Sequence, residues 1–290
     1  MLDIDAPVPP TSANDGRGDD TTLSKGRISI YQPEQEGLIF PEIPKFKDVS
    51  EERLHRKTHL VAACRAFAKY GYDYGFAGHL TVRDPEHHNL YWTNPMCVNF
   101  ADVKMSNIVL ADHSGRVVEG KYAINHAGFV LHASVHRLRP DVVAMCHAHT
   151  SYLSAFCATG RQLDPFSLDA CSFFEDQVVV DENAGIVTVD EESGIGIAKA
   201  MGGARAIIHQ NHGVLTTSEH SIDAAAWWFI AFEQCCRAQL ALAASGMQSH
   251  LVTTELARYN RKHAGTSFIA WLHFQGLYNN IAKNQPDMFD

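Results

Sequence analysis

Hydrophobic and polar positions along this chain follow two periods, and the elements they predict alternate between helix and strand. Leu60, Cys64, Phe67 and Ala68 recur at helical spacing behind the cap signal Ser50-Glu51-Glu52, so a helix is expected over 50–70, ended by Gly71. Short apolar runs at 78–83, 90–93, 108–110 and 117–118 read as strands, the last two flanking the turn Asp112-His113-Ser114-Gly115. The pattern returns to a helix over 126–138, where Phe129, Leu131, His132 and Val135 are closely spaced before Pro140 stops it. Val142 to Cys146 is then a buried strand, 151–160 a short helix, 164–172 a loop, 185–189 a strand and 194–201 a short helix. A second apolar strand from Ala206 to Thr216 is interrupted by a polar turn. The longest helix spans 221–244, with Ser221 as its cap, Asp223 at the positive end of its dipole and Gly246 at its exit. Its apolar residues lie on two sides, with Trp227, Ile230, Ala231, Ala238 and Leu242 on one and Trp228, Phe229 and Phe232 on the other, which points to a subunit contact. From Glu255 the chain turns polar, and an aromatic helix follows over 267–278.

At the amino terminus, residues 1–25 are rich in Pro, Asp, Gly, Ser and Thr and carry too little apolar content to pack, so a disordered tail is expected. Pro33, Pro41 and Pro44 then make an extended arm whose Leu38, Ile39, Phe40, Ile43 and Phe46 could cover the domain or a neighbouring subunit. The organisation expected is therefore a tail and arm over 1–48, a globular domain over 49–250 and a helical extension over 251–290.

Two of these strands carry the candidate chemistry. Met145-Cys146-His147-Ala148-His149-Thr150 places histidines one residue apart at a strand end, and in a strand residues i and i+2 share a face. Two neutral imidazoles on one face are half of a metal site and need at least one more ligand. His212, just before Gly213 where the second strand bends, suits a side chain aimed at a partner from another strand. In a chain of seventeen histidines a His-x-His pair alone would be as readily structural.

The words around these histidines change that balance. Gly78-His79-Leu80-Thr81-Val82-Arg83-Asp84-Pro85, Ile124-Asn125-His126-Ala127-Gly128-Phe129-Val130-Leu131-His132, Arg139-Pro140-Asp141-Val142, His147-Ala148-His149-Thr150 and Gln210-Asn211-His212-Gly213-Val214-Leu215 resemble the class II aldolase/adducin superfamily, in order and at the expected separations, from about residue 55 to 246. The resemblance implies an α/β fold, a three-layer α/β/α sandwich with a central, mainly antiparallel sheet. It implies that His147, His149 and His212 hold a divalent ion. Three imidazoles suit zinc first, with iron(II) or manganese(II) as alternatives, and suit calcium or magnesium poorly. It also implies a homo-oligomer, a tetramer, acting on a small molecule.

The chain departs from the family at the residues that move protons and hold phosphate. Members carry a Ser-Ser-Glu motif four residues before a helical histidine; aligned on His132, that point is Gly128, with His126 and Ala127 before it. The Gly-Asn phosphate loop reads Gly78-His79 here, and the Thr-x-Ser-Gly turn reads Asn94-Pro95-Met96-Cys97, so a phosphorylated sugar is not expected. The acid/base candidates are His126, His79, Glu175 and Asp176, with His126 placed first because imidazole titrates near neutrality. Asn125, Asn211 and His209 are candidates to orient substrate, and His132 reads as a satisfied core histidine. His55, His59, His87 and His88 read as solvated faces, and Gly194-Ile195-Gly196 lacks the strand and glycine pattern of a dinucleotide loop.

Bulk properties narrow the classes. A net charge of -9 and 20% charged residues without a basic cluster argue against a nucleic-acid surface. No apolar run approaches a membrane span, and Met1 to Asp20 has no signal-peptide core, so the cytoplasm is the default expectation. Seven cysteines without regular spacing fit reduced thiols, with Cys146, Cys235 and Cys236 packing in apolar segments and Cys97 and Cys171 nearer polar turns. Three functions are then in play. The first is a metal-dependent lyase acting on a small non-phosphorylated hydroxycarbonyl or carboxylate by retro-aldol cleavage, decarboxylation or enolisation. The second is a non-haem iron oxygenase using the same histidines, and the third an adducin-like assembly module without catalysis.

Overall fold

The computed structural model describes residues 29–290 apart from 34, 182, 183 and 188–190. Eight strands form one sheet: β1 (His79–Arg83), β2 (Leu90–Thr93), β3 (Val109–Asp112), β4 (Val117–Glu119), β5 (Ala144–Ala148), β6 (Gln177–Val180), β7 (Ala206–His209) and β8 (Gly213–Ser218). Their order is β4-β3-β2-β1-β5-β8-β7-β6, antiparallel at every step except the last, where β6 runs parallel to β7. The helices are α1 (Val49–Lys69), α2 (His126–Leu138), α3 (Ser151–Cys157), α4 (Leu168–Cys171), α5 (Glu191–Met201), α6 (Ile222–Ser245), α7 (Thr254–Ala264) and α8 (Ser267–Asn284).

Helices cover both faces of the sheet. On one, α2 and α5 pack Leu131, Val135, Ile197 and Met201 onto Met145, Ile207 and Leu215. On the other, Leu60, Phe67, Phe229, Phe232 and Phe274 from α1, α6 and α8 close over Leu80, Cys146 and Val214. Alternation along β5 sends Met145 to the first layer and Cys146 to the second, as a strand with two buried faces requires. The result is the α/β/α sandwich that the sequence led us to expect.

Several local expectations are revised. The cap of α1 is Asp48, whose side chain accepts from Glu51 N, two residues before the expected Ser50. The stretch 164–172 contains the single helical turn α4, capped by Ser167. Residues 185–187 of the strand expected over 185–189 form a turn and irregular chain, and 188 and 189 lie outside the described residues, as does the expected tail over 1–25. The second apolar side of α6 is covered within the chain, where Trp228 and Phe232 meet Phe173 and Phe229 meets Phe67, while Trp227 on the first side stacks on His273 of α8 at 4.5 Å. Trp228, Phe229 and Phe232 are thus buried within the chain itself, while Trp227 is half-buried. Ile269, Ala270, Trp271 and Phe274 of α8 are buried for the same reason, so the carboxy-terminal helix shares the main core. In the arm, Phe46 packs on His55 at 5.0 Å and Phe40 meets Phe268, whereas Ile39 is exposed. Among the described residues no helix is long and apolar enough to cross a membrane.

Candidate metal centre

The antiparallel pairing of β5 with both β1 and β8 creates the site. His79 faces His147 across one ladder, and the β7–β8 turn carries His212 to the end of β5. His149 follows directly after the last residue of β5. The three rings of His147, His149 and His212 come together with centroids 5.1 to 5.3 Å apart, and each offers a nitrogen within 4.8 Å of the others.

The tautomers of two rings are fixed from behind. His147 donates Nδ1–H to Val214 O at 2.8 Å, and His212 donates Nδ1–H to Ile186 O at 3.3 Å. Such bonds leave Nε2 unprotonated and aimed forward, the arrangement by which proteins orient metal-ligating imidazoles. His147 is 1% exposed, and its Nε2 meets no hydrogen-bond partner among the described residues. A buried lone pair left without a donor is costly unless something fills the space before it. Burial holds His147 and His149 below the ordinary histidine value and, with His209 and His149 as neighbours, lowers His212 to about 4. All three are neutral at pH 7, which is the state a cation requires. The donor set, its burial and the bare Nε2 fit a divalent ion of the zinc or iron type.

His79 stands beside this cluster. Its ring stacks on His147 at 4.7 Å, and its Nδ1 lies 2.8 Å from Nε2 of His132. The bonds continue from His132 Nδ1 to Thr81 Oγ1 at 2.7 Å and from there to His136 Nε2 at 2.9 Å. At the far end His136 Nδ1 lies 3.2 Å from Val142 O and 3.3 Å from Nη2 of Arg83. Both nitrogens cannot donate to each other, and Arg83 Nη2 makes shorter bonds to His136 O and Val142 O. His136 therefore gives its Nδ1–H to Val142 O, and the polarity propagates: Thr81 donates to His136, His132 donates to Thr81, His79 donates to His132. His79 Nε2 is left as an acceptor. His132 is thus a satisfied core histidine, as its sequence position suggested, and also the anchor of His79.

Gly128 explains why His79 fits. A Cβ added there would lie 2.3 Å from both Cδ2 and Nε2 of His79. The imidazole occupies the space into which a side chain at 128 would project, and position 128 is where the alignment on His132 locates the family's missing carboxylate.

The remaining candidates go elsewhere. His126, placed first by sequence, is exposed at the start of α2 and lines a separate cleft of about 270 Å³ with His113, Ser114, Ser134, Arg137 and Glu191. Asn125 is the cap of α2, accepting from Gly128 N, so its oxygen is committed to the backbone. Asn211 has φ 59 and is exposed in the β7–β8 turn, beside His212 in sequence. His209 is fully buried behind His212, stacked on it at 4.9 Å, and supports that ring instead of reaching the opening. Glu175 pairs with Arg258 at the surface, and Asp176 with Arg205 and Arg261. Cys97 is the exposed cysteine, while the others are buried.

Glu233 of α6 was not singled out from sequence. It accepts from Thr150 Oγ1 at 2.7 Å and Leu153 N at 2.8 Å and so fixes the turn directly after His149. Thr81 and His136 were missed too, although Thr81 shares a strand face with His79 and His136 lies one helical turn from His132.

The loop where family members cradle phosphate is closed. Gly78, Asn94, Pro95 and Cys97 line a cleft of about 10 Å³ with Asp73 and Phe100, room for little beyond one water. A Cβ at Gly78 would meet Phe100 at 2.6 Å, so the aromatic ring already fills the cradle. No cationic side chain among the described residues lines it, and Asp73 would repel a phosphate.

Buried neutral imidazoles also set the acid behaviour. Burial pushes His132 and His136 well below the ordinary value of 6.5 and His55 to about 4. A ring whose value is lower folded than unfolded takes up a proton on unfolding. Stability is therefore full above pH 6.5 and declines below it, each such ring steepening the loss by about 1.4 kcal/mol per pH unit. Urea midpoints of the metal-free protein are expected to fall clearly between pH 7 and 5, above the range where carboxylates titrate. Equal midpoints at the two pH values would contradict this.

The chain is similar to known proteins over most of its length. The family model of the class II aldolase and adducin N-terminal domain matches residues 58–240. A protein named decarboxylase NovR from Streptomyces niveus is 39% identical over 251 residues, covering 86% of this chain and 92% of the relative. A 4-hydroxy-3-prenylphenylpyruvate oxygenase/4-hydroxy-3-prenylbenzoate synthase from Streptomyces roseochromogenus subsp. oscitans is also 39% identical, over 86% of this chain and 90% of its own. Among solved structures, L-fuculose 1-phosphate aldolase from Glaciozyma antarctica PI12 superposes with a TM-score of 0.78 at 34% identity, over 86% of this chain and 96% of that one.

Proposed function

The chain belongs to the class II aldolase and adducin family and is an enzyme of it, and from that premise we propose that it is a metal-dependent lyase that decarboxylates a small, non-phosphorylated acid whose carboxylate lies β to a carbonyl, a 3-oxo acid. The observation that carries the metal-dependent part is the buried, unpartnered Nε2 of His147 between two further imidazoles. The decarboxylase among the relatives supports the reaction class. The closed, anionic cleft at Gly78 supports a substrate without phosphate.

His147, His149 and His212 would hold the ion, which when bound supplies a Lewis acid that polarises the substrate carbonyl and stabilises negative charge on its oxygen. The chain's own residues do the rest. Three protein ligands would leave coordination positions for a chelating substrate. Loss of carbon dioxide leaves the electron pair of the broken carbon–carbon bond as an enolate, and His79 Nε2, after taking up a proton from solvent, is the atom that delivers it to the enolate carbon. Its Nδ1–H bond to His132 holds the ring in the accepting tautomer. His126, exposed in another cleft, is not assigned this step, and neither Asn125 nor Asn211 is assigned a substrate contact. Zinc is the first choice of ion and the enzyme is taken as a homotetramer, in line with the family.

A second reading, an oxygen-consuming cleavage with iron(II) on the same histidines, is favoured by the relative named as a phenylpyruvate oxygenase. One experiment separates the two. Protein loaded with zinc or with iron(II) is incubated with a panel of aryl and alkyl 3-oxo, 2-oxo and 2-hydroxy acids, and carbon dioxide and oxygen are followed together. The lyase releases carbon dioxide without oxygen uptake. Oxygen consumed in step with carbon dioxide establishes the second reading, and turnover confined to sugar phosphates contradicts both.

A further inference from the structure

We propose that His55, His59 and Asp223 form a second divalent-cation site, independent of the triad, at the junction of α1, α6 and α8. The sequence suggested a solvated face for both histidines; the structure corrects this, with His59 5% exposed and His55 half-buried beneath Phe46. They lie four residues apart on α1, a spacing that puts two imidazoles on one helix face. Asp223, in the first turn of α6, is completely buried and brings its carboxylate to the same point. One ligand atom from each of the three lies within 4.8 Å of the others.

Three features make this more than an ion pair. His59 Nδ1 stands 2.6 Å from Asp223 Oδ1, and that oxygen also accepts from Gln275 Nε2 at 3.3 Å, yet Oδ2 has no hydrogen-bond partner among the described residues. A buried carboxylate oxygen without a donor is expensive, and a cation beside it would satisfy it. The rings are also held in place: Tyr278 of α8 stacks on His59 at 4.1 Å with planes 7° apart, and the His55 ring packs against His59 at 3.9 Å. Burial keeps His55 neutral at pH 7, so its lone pair is available. Two nitrogens and one carboxylate oxygen, with water completing the shell, suit zinc or cobalt(II) better than calcium or magnesium. Bound there, the ion would tie α1 to α6 under the arm and add to stability without entering the reaction.

The test uses the full chain with the triad disabled. The double variant His149→Ala/His212→Ala, checked for fold by circular dichroism, is stripped with chelator and titrated with cobalt(II). We expect about one equivalent bound with visible ligand-field bands, and a rise in melting temperature when zinc is added instead. Adding His55→Ala or Asp223→Asn should abolish both. A folded double variant that binds no cobalt, or a bound ion that survives His55→Ala, overturns the proposal. If the double variant fails to fold, wild type is titrated: two equivalents support the site and a single equivalent overturns it.

Discussion

Replacing His149 and His212 together by alanine is expected to cut kcat/KM on any accepted substrate by about a thousandfold or more. Both rings are half-buried, so the fold tolerates their loss better than that of His147, which lies wholly inside the strand ladder. The magnitude follows from what a bound cation contributes: several kcal/mol of charge stabilisation at the developing oxyanion, at about 1.4 kcal/mol per tenfold. Steady-state kinetics on the chelated and zinc-reloaded variant give the answer. Wild-type turnover from the variant, with or without zinc, would remove the triad from the reaction.

His79→Gln is expected to lower kcat by about a hundredfold to ten-thousandfold while KM and the metal content of the triad stay near wild type. The amide can still donate toward His132 but has no nitrogen that accepts a proton. The split between kcat and metal content matters, because a packing defect beside His147 would loosen the ion as well. A variant within threefold of wild-type kcat would return the proton-transfer role to another group.

The triad was legible in the sequence because each half sits in a short, readable context. Val142 to Cys146 announces a strand, and His147 and His149 inherit its alternation, while Gly213 marks the bend that turns His212 inward. Helix α2 was equally plain, with Asn125 before it and Pro140 after it. Missed elements are those whose burial is decided by the fold. Strand β6 is four residues on the sheet's edge, behind the charged pair Glu175-Asp176, too short for a period to show. Helix α7 buries only Ala257, so its composition reads as a polar linker. His79 and His126 could not be ranked by sequence, because the contact that distinguishes them, an imidazole filling the space over Gly128, joins residues on different elements. The chain from His132 through Thr81 to His136 is tertiary for the same reason, and so is the burial of His59 against Tyr278 and Asp223.

The central claim is that three imidazoles hold one catalytic ion with a side left open to substrate. X-ray absorption at the zinc edge, on the His55→Ala protein loaded with one equivalent of zinc, addresses it directly. The account predicts three imidazole nitrogens at about 2.0–2.1 Å and a light-atom ligand whose signal changes when a 3-oxo acid is added. A sulfur ligand, fewer than three imidazoles, or a spectrum indifferent to every acid tried would contradict it.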